Sequence, residues 1–175
     1  MKTLHLFLAS SINDLRMERL ELGNFVRILN DRLVLNDAYV HIHMCEYISD
    51  EVALTRKQDE YNKIIQDCDH VMVLFRNSMG VYTKEEYDTA RQHWLETGTP
   101  ELHVFFCEPD GGRPDDVSKF LLHLQEHRQP YELFSSVRDL KEALLKIIVR
   151  QLDFPAEVVK KDRQTFLNGH LLPGI

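Results

Sequence analysis

Short apolar segments alternate with longer amphipathic segments over the first 150 residues, and few folds accommodate such a pattern. The apolar segments lie at residues 4–9, 38–44, 71–75, 102–107 and 131–134, and their length and composition predict strands. Apolar residues at helical spacing predict helices at about 14–33, 54–68 and 117–127, another that carries Glu86 and ends near residue 97, and a last one capped by Ser136. Five strands alternating with five helices predict an α/β protein.

This order of elements predicts a flavodoxin-like, doubly wound five-stranded parallel sheet in the order 2-1-3-4-5, with helices on both faces. In such a sheet a ligand crevice is expected above the carboxyl ends of strands 1 and 3. We expect one domain at residues 1–152, because the periodic pattern ends there. Residues 153–175 lack a clear period and are predicted to be a linker or the start of a further module.

Charge and hydropathy argue against nucleic acids and membranes as partners, and the cysteine content indicates the cellular compartment. The chain has 175 residues and a formal net charge of -7, with no basic patch of the kind that nucleic acids or anionic membranes require. No apolar run reaches the length of a membrane span. Three widely spaced cysteines, Cys45, Cys68 and Cys107, suit a reducing cytoplasm better than a disulfide framework.

The segment Gly80-Val-Tyr-Thr-Lys-Glu-Glu-Tyr-Asp-Thr-Ala90 follows the third strand and is predicted to open a helix with Glu86 in its first turn. A carboxylate there lies at the carboxyl end of a central strand, where open α/β sheets bind ligands. Thr83-Lys-Glu-Glu86 also fits a capping box, in which the glutamate bonds back to the backbone of the cap residue. Both interpretations of Glu86, catalytic and structural, are open at this point.

Two local motifs, at residues 7–19 and 82–86, resemble those of TIR and TIR-like domains. Together with the order of the elements, they extend the resemblance over about residues 1–150. Phe7-Leu-Ala-Ser-Ser-Ile-Asn-Asp-Leu-Arg-Met-Glu-Arg19 looks like the Ser-Ser-x-x-Asp-Leu-x-x-Glu-Arg opening of bacterial TIR-like modules. Tyr82-Thr-Lys-Glu-Glu86 is similar to the aromatic-x-x-x-Glu step of NAD-cleaving TIR domains, with Tyr82 where many members have Trp. The loop from Cys45 to Ala53 lacks the Arg-Asp and Pro-Gly pair of TIR domains that assemble through it.

The resemblance implies an NAD⁺ glycohydrolase, a cytoplasmic bacterial effector or defence protein with Glu86 as its catalytic carboxylate. NAD⁺ would be the substrate and no cofactor is implied; the implied partners are further copies of the chain or other TIR-like domains. A carboxylate stabilises the oxocarbenium-like ribose that forms when the nicotinamide bond breaks. A helix N-terminus is expected to keep Glu86 ionised at neutral pH. The expected substrate-binding residues are Ser10, Ser11, Phe75, Arg76 and Tyr82, the aromatic residues for the nicotinamide and Arg76 for the pyrophosphate.

Two other functions are open. Gly80, Thr83 and Glu86 also reproduce the Gly-x-x-Thr-x-x-Glu step of nucleoside 2-deoxyribosyltransferases, which would consume nucleosides. Alternatively, the chain is a non-enzymatic module that binds a nucleotide signal or another TIR-like domain.

No metal site is predicted. The pattern His123-Leu-Gln-Glu-His127 matches a zinc motif, but it lacks room for a third ligand downstream and is predicted to be a surface pair. His41 and His43 are predicted to be ordinary residues on one face of a strand.

Overall fold

The computed structural model describes residues 1–44, 51–108 and 111–175, and of residues 51–58 it describes the backbone. The helices and strands are β1 (Lys2–Ser10), α1 (Arg16–Leu33), β2 (Ala38–Met44), α2 (Glu51–Gln66), β3 (His70–Phe75), α3 (Val81–Thr97), β4 (Glu101–Cys107), α4 (Asp115–Glu126), β5 (Glu132–Phe134), α5 (Val137–Arg150), β6 (Val158–Lys161), β7 (Gln164–Leu167) and β8 (His170–Leu172). None of the helices described here has both the length and the apolar character needed to cross a membrane.

The first five strands form one sheet in the order β2-β1-β3-β4-β5, and every neighbouring pair is parallel. The predicted flavodoxin-like α/β fold and strand order are therefore confirmed. β1 pairs with β2 on one side and with β3 on the other, with Ser10 opposite Leu74. The direction in which the chain adds strands reverses between β1 and β3, and such a reversal is the place where open α/β sheets bind ligands, at the carboxyl ends of the strands.

Helices cover both faces of this sheet, because the strands carry apolar residues on both sides. On one face α1 and α5 pack against Leu6, Leu8 and Leu74. On the other face α2, α3 and α4 pack against Phe7, Val73 and related residues. Odd-numbered residues of β1 and β2 therefore share the face of α2, α3 and α4.

Local sequence explains two of the helix ends. The Ser136 side chain accepts a hydrogen bond from the Asp139 backbone N–H, and the Asp139 carboxylate accepts one from the Ser136 N–H, which forms a capping box at the start of α5. α3 ends at Gly98, whose φ of 84° is left-handed and favours glycine. The predicted Ser136 cap and the predicted end of the Glu86 helix are both confirmed.

Several predicted boundaries are wrong by a few residues. α1 begins at Arg16 instead of residue 14, after a turn in which the backbone N–H of Leu15 donates to the carbonyl of Ser11. α2 covers Glu51–Gln66, so it starts and ends earlier than predicted. α4 likewise starts earlier, at Asp115. Helix ends depend on local hydrogen bonds that apolar spacing does not report.

The segment that was expected to be a linker or the start of a further module forms a three-stranded antiparallel sheet, β6-β7-β8. Leu167, Leu172 and Ile175 are buried in the same apolar cluster as α1 and α5. The segment is therefore packed against α1 and α5, and its role as a linker or as the start of a further module stays a prediction.

Leu172→Ala tests how strongly this small sheet contributes to the stability of the domain. Leu172 is fully buried, so we expect its truncation to lower the free energy of unfolding by at least about 2 kcal/mol. Leu171→Ala is the matched control, since Leu171 is 40% exposed. Urea denaturation of both variants measures the difference, and equal stabilities would show that the small sheet is not part of the cooperative core.

Candidate active site

The helix that carries Glu86 starts earlier than the capping-box pattern predicts. α3 begins at Val81, and its N-cap residue is Gly80, which has a φ of 58° and provides no side-chain cap. A Cβ at Gly80 would also lie 3.3 Å from the Thr83 hydroxyl oxygen, so glycine fits this turn best. Thr83 is the third residue of the helix and Glu86 the sixth. The capping box and the first-turn position of Glu86 are therefore both wrong.

Glu86 is nevertheless an unusual carboxyl group. Its side chain is only 2% exposed, and its Oε1 atom has no hydrogen-bond partner among the described residues. Burial raises the pKa of Glu86 to about 8; the charge of Arg19 acts in the opposite direction, and that of Glu85 adds to the rise. The expectation that the helix N-terminus keeps Glu86 ionised is wrong, because Glu86 lies beyond the first turn and is desolvated.

Arg19 is the charged residue that accompanies Glu86 in this buried region. It lies in the first turns of α1 and is itself buried. Its guanidinium donates to the Ser10 hydroxyl at 2.8 Å and to the Ser10 carbonyl at 3.3 Å. The positive charge of this guanidinium, held at the end of β1, also acts on the Glu86 carboxyl group of α3. Sequence reasoning did not identify Arg19 as a site residue.

Two acidic residues of the opening motif also reach the end of β3. The Ser78 hydroxyl donates to the Asp14 carboxylate at 2.7 Å, and Arg76 forms an ion pair with Glu18. Arg76 also donates to the Asp14 carbonyl at 3.3 Å. All the polar residues of the Ser-Ser-x-x-Asp-Leu-x-x-Glu-Arg opening therefore lie around one crevice. Asp14, Glu18 and Arg19 were not predicted as site residues. Their membership of the same sequence motif as Ser10 and Ser11 was the signal that could have identified them.

Arg76 is predicted to bind the pyrophosphate, but its guanidinium already donates hydrogen bonds to other groups of the protein. Its guanidinium bonds Glu18, the Asp14 carbonyl and the Cys107 sulfur, the last at 3.4 Å. A phosphate would have to compete with the Glu18 carboxylate for the same donors.

The predicted aromatic residues differ in their availability. Tyr82 is 42% exposed in the first turn of α3, so a ligand in the crevice can reach it. Phe75 is fully buried and packs against Phe106 and Phe120, each with a centroid distance of 5.2 Å. Phe75 is thus a core residue in this structure, and its predicted contact with nicotinamide is not supported.

The two predicted serines lie at the start of the crevice. Ser10 is buried at the end of β1, where Arg19 engages its hydroxyl. Ser11 is half-buried, and its hydroxyl accepts a hydrogen bond from the Asp14 backbone N–H at 3.4 Å. Ser11 also lies close to Gly80. Ser10, Ser11, Glu86 and Arg19 are therefore brought together from three separate segments.

An open polar cleft of about 570 Å³ continues from Arg76 across the ends of β4 and β5. The described residues that line it are Arg76, Asn77, Cys107, Glu108, Gly111, Gly112, Pro114 and Ser135. Its volume suits a small organic ligand. Glu86 does not line this cleft, so the buried carboxyl and the open cleft are separate features of the structure.

This arrangement supplies one buried carboxyl group and one buried guanidinium near the carboxyl ends of β1 and β3, and a separate cleft of ligand size that begins at Arg76. A carboxyl with a raised pKa in such a crevice is suited to proton transfer or to stabilising a developing positive charge. No model of a known protein family matches the chain, and a comparison with curated proteins finds no relative. Of the loop from Cys45 to Ala53, which lacks the Arg-Asp and Pro-Gly pair, residues 45–50 lie outside the described residues.

Proposed function

We propose that the protein is an NAD⁺ glycohydrolase that acts as a TIR-like effector or signalling domain, with Glu86 as the catalytic carboxyl group. The observation that carries this proposal is the burial of Glu86 beside Arg19 at the switch point of the sheet, with Oε1 unpaired among the described residues. If Glu86 only stabilised the fold, its buried carboxyl oxygens would be expected to have hydrogen-bond partners.

Cleavage of the nicotinamide bond suits this carboxyl group. Nicotinamide leaves the ribose with the electron pair of the broken bond, and water then adds to the sugar carbon and releases a proton. The ionised Glu86 stabilises the positive charge that develops on the ribose. The pyridinium of NAD⁺ is itself a cation, so its binding beside Glu86 favours ionisation of the buried carboxyl.

Access to Glu86 is the main structural requirement of this mechanism. Because its side chain is 2% exposed, the residues that cover it must move before a substrate can touch it. Self-association is the step that we propose for this opening, as the resemblance to TIR domains implies. The activity is then expected to rise more steeply than the protein concentration.

The test is nicotinamide release from NAD⁺ at high and low protein concentration, with all products identified. Free nicotinamide together with ADP-ribose, linear or cyclic, is the expected result. Base exchange between paired nucleosides and free bases, with NAD⁺ intact, would support the deoxyribosyltransferase alternative instead. An unchanged pool of both substrates at every concentration would leave only the non-enzymatic interaction module.

The pH dependence of NAD⁺ cleavage reports the ionisation of Glu86. Only the carboxylate stabilises the ribose cation, and the free protein holds the pKa near 8. We therefore expect kcat/KM to rise about tenfold per pH unit below pH 8 and to level off above it. A flat profile between pH 6 and 8 would show that the reacting group is not this buried carboxyl.

The second enzymatic candidate has one observation in its favour. Thr83 is buried one turn before Glu86, and its hydroxyl lies close to Gly80. The three residues of the Gly-x-x-Thr-x-x-Glu step are thus gathered at the start of one helix, where a nucleophilic glutamate on a deoxyribose is also consistent with the geometry.

A further inference from the structure

Three histidines from two neighbouring strands lie together on the face of the sheet that α2, α3 and α4 share. His5 is opposite His41 in the pairing of β1 with β2, and Phe7 is opposite His43. Because side chains alternate along a strand, His41 and His43 project to the same face, and His5 projects beside them. Sequence reasoning considered only His41 and His43, since the register that adds His5 is a property of the fold.

The distances among the three rings are those of a compact donor cluster. Nδ1 of His5 lies 3.1 Å from Nε2 of His43, and one ring nitrogen from each histidine lies within 4.8 Å of the others. The ring centroids of His41 and His43 are 4.2 Å apart. Three nitrogens bound to one tetrahedral Zn²⁺ lie roughly 3.3 Å apart, given Zn–N distances of about 2.0–2.1 Å.

We propose that His5, His41 and His43 form a binding site for a divalent transition metal of the Zn²⁺ class. Imidazole nitrogen is a ligand that Zn²⁺, Co²⁺, Ni²⁺ and Cu²⁺ accept, whereas Mg²⁺ and Ca²⁺ prefer oxygen. The parallel register fixes two strand backbones and hence the origins of all three side chains. Three protein ligands leave a coordination position for water or an anion, and the exposure of His41 gives a metal ion access.

The surroundings of the cluster also accept a cation. The Asp69 carboxylate accepts a hydrogen bond from the His5 backbone N–H at 2.7 Å, which places negative charge at one end of the site. His43 is paired with Phe7, which precedes Ser10 by three residues in β1. This corresponds to roughly 10 Å along the strand direction. The metal site is thus separate from the Glu86 crevice and does not depend on the proposed NAD⁺ cleavage.

Two other groups of potential ligands among the described residues fit a metal less well. His70, Glu101 and His103 include a fully buried histidine, and the positive charge of Arg150 acts on His103 and disfavours a cation. His123, Glu126 and His127 are exposed at the end of one helix, and Nδ1 of His127 lies 2.8 Å from the His123 carbonyl. Ordering such exposed side chains costs conformational entropy that a strand-fixed cluster does not lose.

The test is binding of Zn²⁺ and Co²⁺ to the full chain without an affinity tag, followed by calorimetry and by the visible spectrum of Co²⁺. One bound equivalent is expected, with a nitrogen-ligand spectrum that lacks thiolate charge-transfer bands. Each of His41→Gln and His43→Gln should weaken binding more than about 100-fold, since even loss of an outer-shell partner commonly costs 10- to 100-fold. Melting temperatures without metal verify that each variant folds. If His43→Gln does not fold, His41→Gln alone gives the test, because His41 is exposed.

His123→Gln combined with His127→Gln is the matched control, because it also removes two neighbouring imidazoles. We expect this double variant to bind metal as the wild type does. Metal binding that survives His41→Gln unchanged, or that disappears in the control, would overturn the assignment. A wild-type protein that binds neither ion at micromolar concentration would overturn it as well.

Discussion

Glu86→Gln is expected to reduce nicotinamide release from NAD⁺ by at least about a hundredfold without lowering the melting temperature. The amide has nearly the same shape as the carboxyl but cannot carry the negative charge that stabilises the ribose cation, and loss of one such electrostatic contact typically costs 10²–10³ in rate. The fold does not depend on the charge, since α3 is not capped by Glu86. Nicotinamide release at high protein concentration, with the melting temperature of both proteins, gives the measurement.

Glu85→Gln is the matched control for this experiment. Glu85 is the adjacent carboxylate on α3, and its Oε1 accepts a hydrogen bond from the Asn62 side chain at 2.8 Å. We expect this variant to retain activity within a few-fold of the wild type. Full activity in Glu86→Gln, or loss of activity in Glu85→Gln alone, would remove Glu86 from the catalytic role.

The arrangement of strands was predictable because it depends on long stretches of sequence. The central strand β3 buries every residue, so its apolar run is continuous, and the strand order follows from the alternation with helices. The small sheet at residues 158–172 was not predictable in the same way. Its strands are only three or four residues long and mostly exposed, and they are stabilised by packing on α1 and α5.

The candidate site was predictable only in part. The position of Glu86 after a central strand follows from local sequence. The burial of Arg19 does not, because a charged residue outside the apolar stripe of a helix is usually exposed, and only the fold brings Ser10 and Glu86 beside it. The start of α3 was misjudged because a threonine three residues before a glutamate matches a capping box, whereas the left-handed Gly80 begins the helix earlier.

The stability of the wild type is expected to fall relative to that of Glu86→Gln as the pH rises from about 4.5 to 8. The Glu86 carboxyl has an ordinary pKa of 4.5 and a pKa of about 8 in the folded protein, so the folded state holds one more proton between these values. Stability decreases with pH wherever the folded state binds more protons, by up to about 1.4 kcal/mol per pH unit for one group. The glutamine variant lacks this loss, so its advantage should reach several kcal/mol at pH 8 and vanish near pH 4.5.

Urea denaturation of both proteins at pH 5, 6, 7 and 8 measures this difference, and pH 5 provides the internal reference at which it should be smallest. A difference that does not change with pH would mean that Glu86 is not held with a raised pKa. A growing difference together with absent NAD⁺ cleavage would make Glu86 a buried structural acid. When the difference grows with pH and cleavage increases over the same range, one ionisation explains both, because the charge that destabilises the closed fold is the charge that the ribose cation requires.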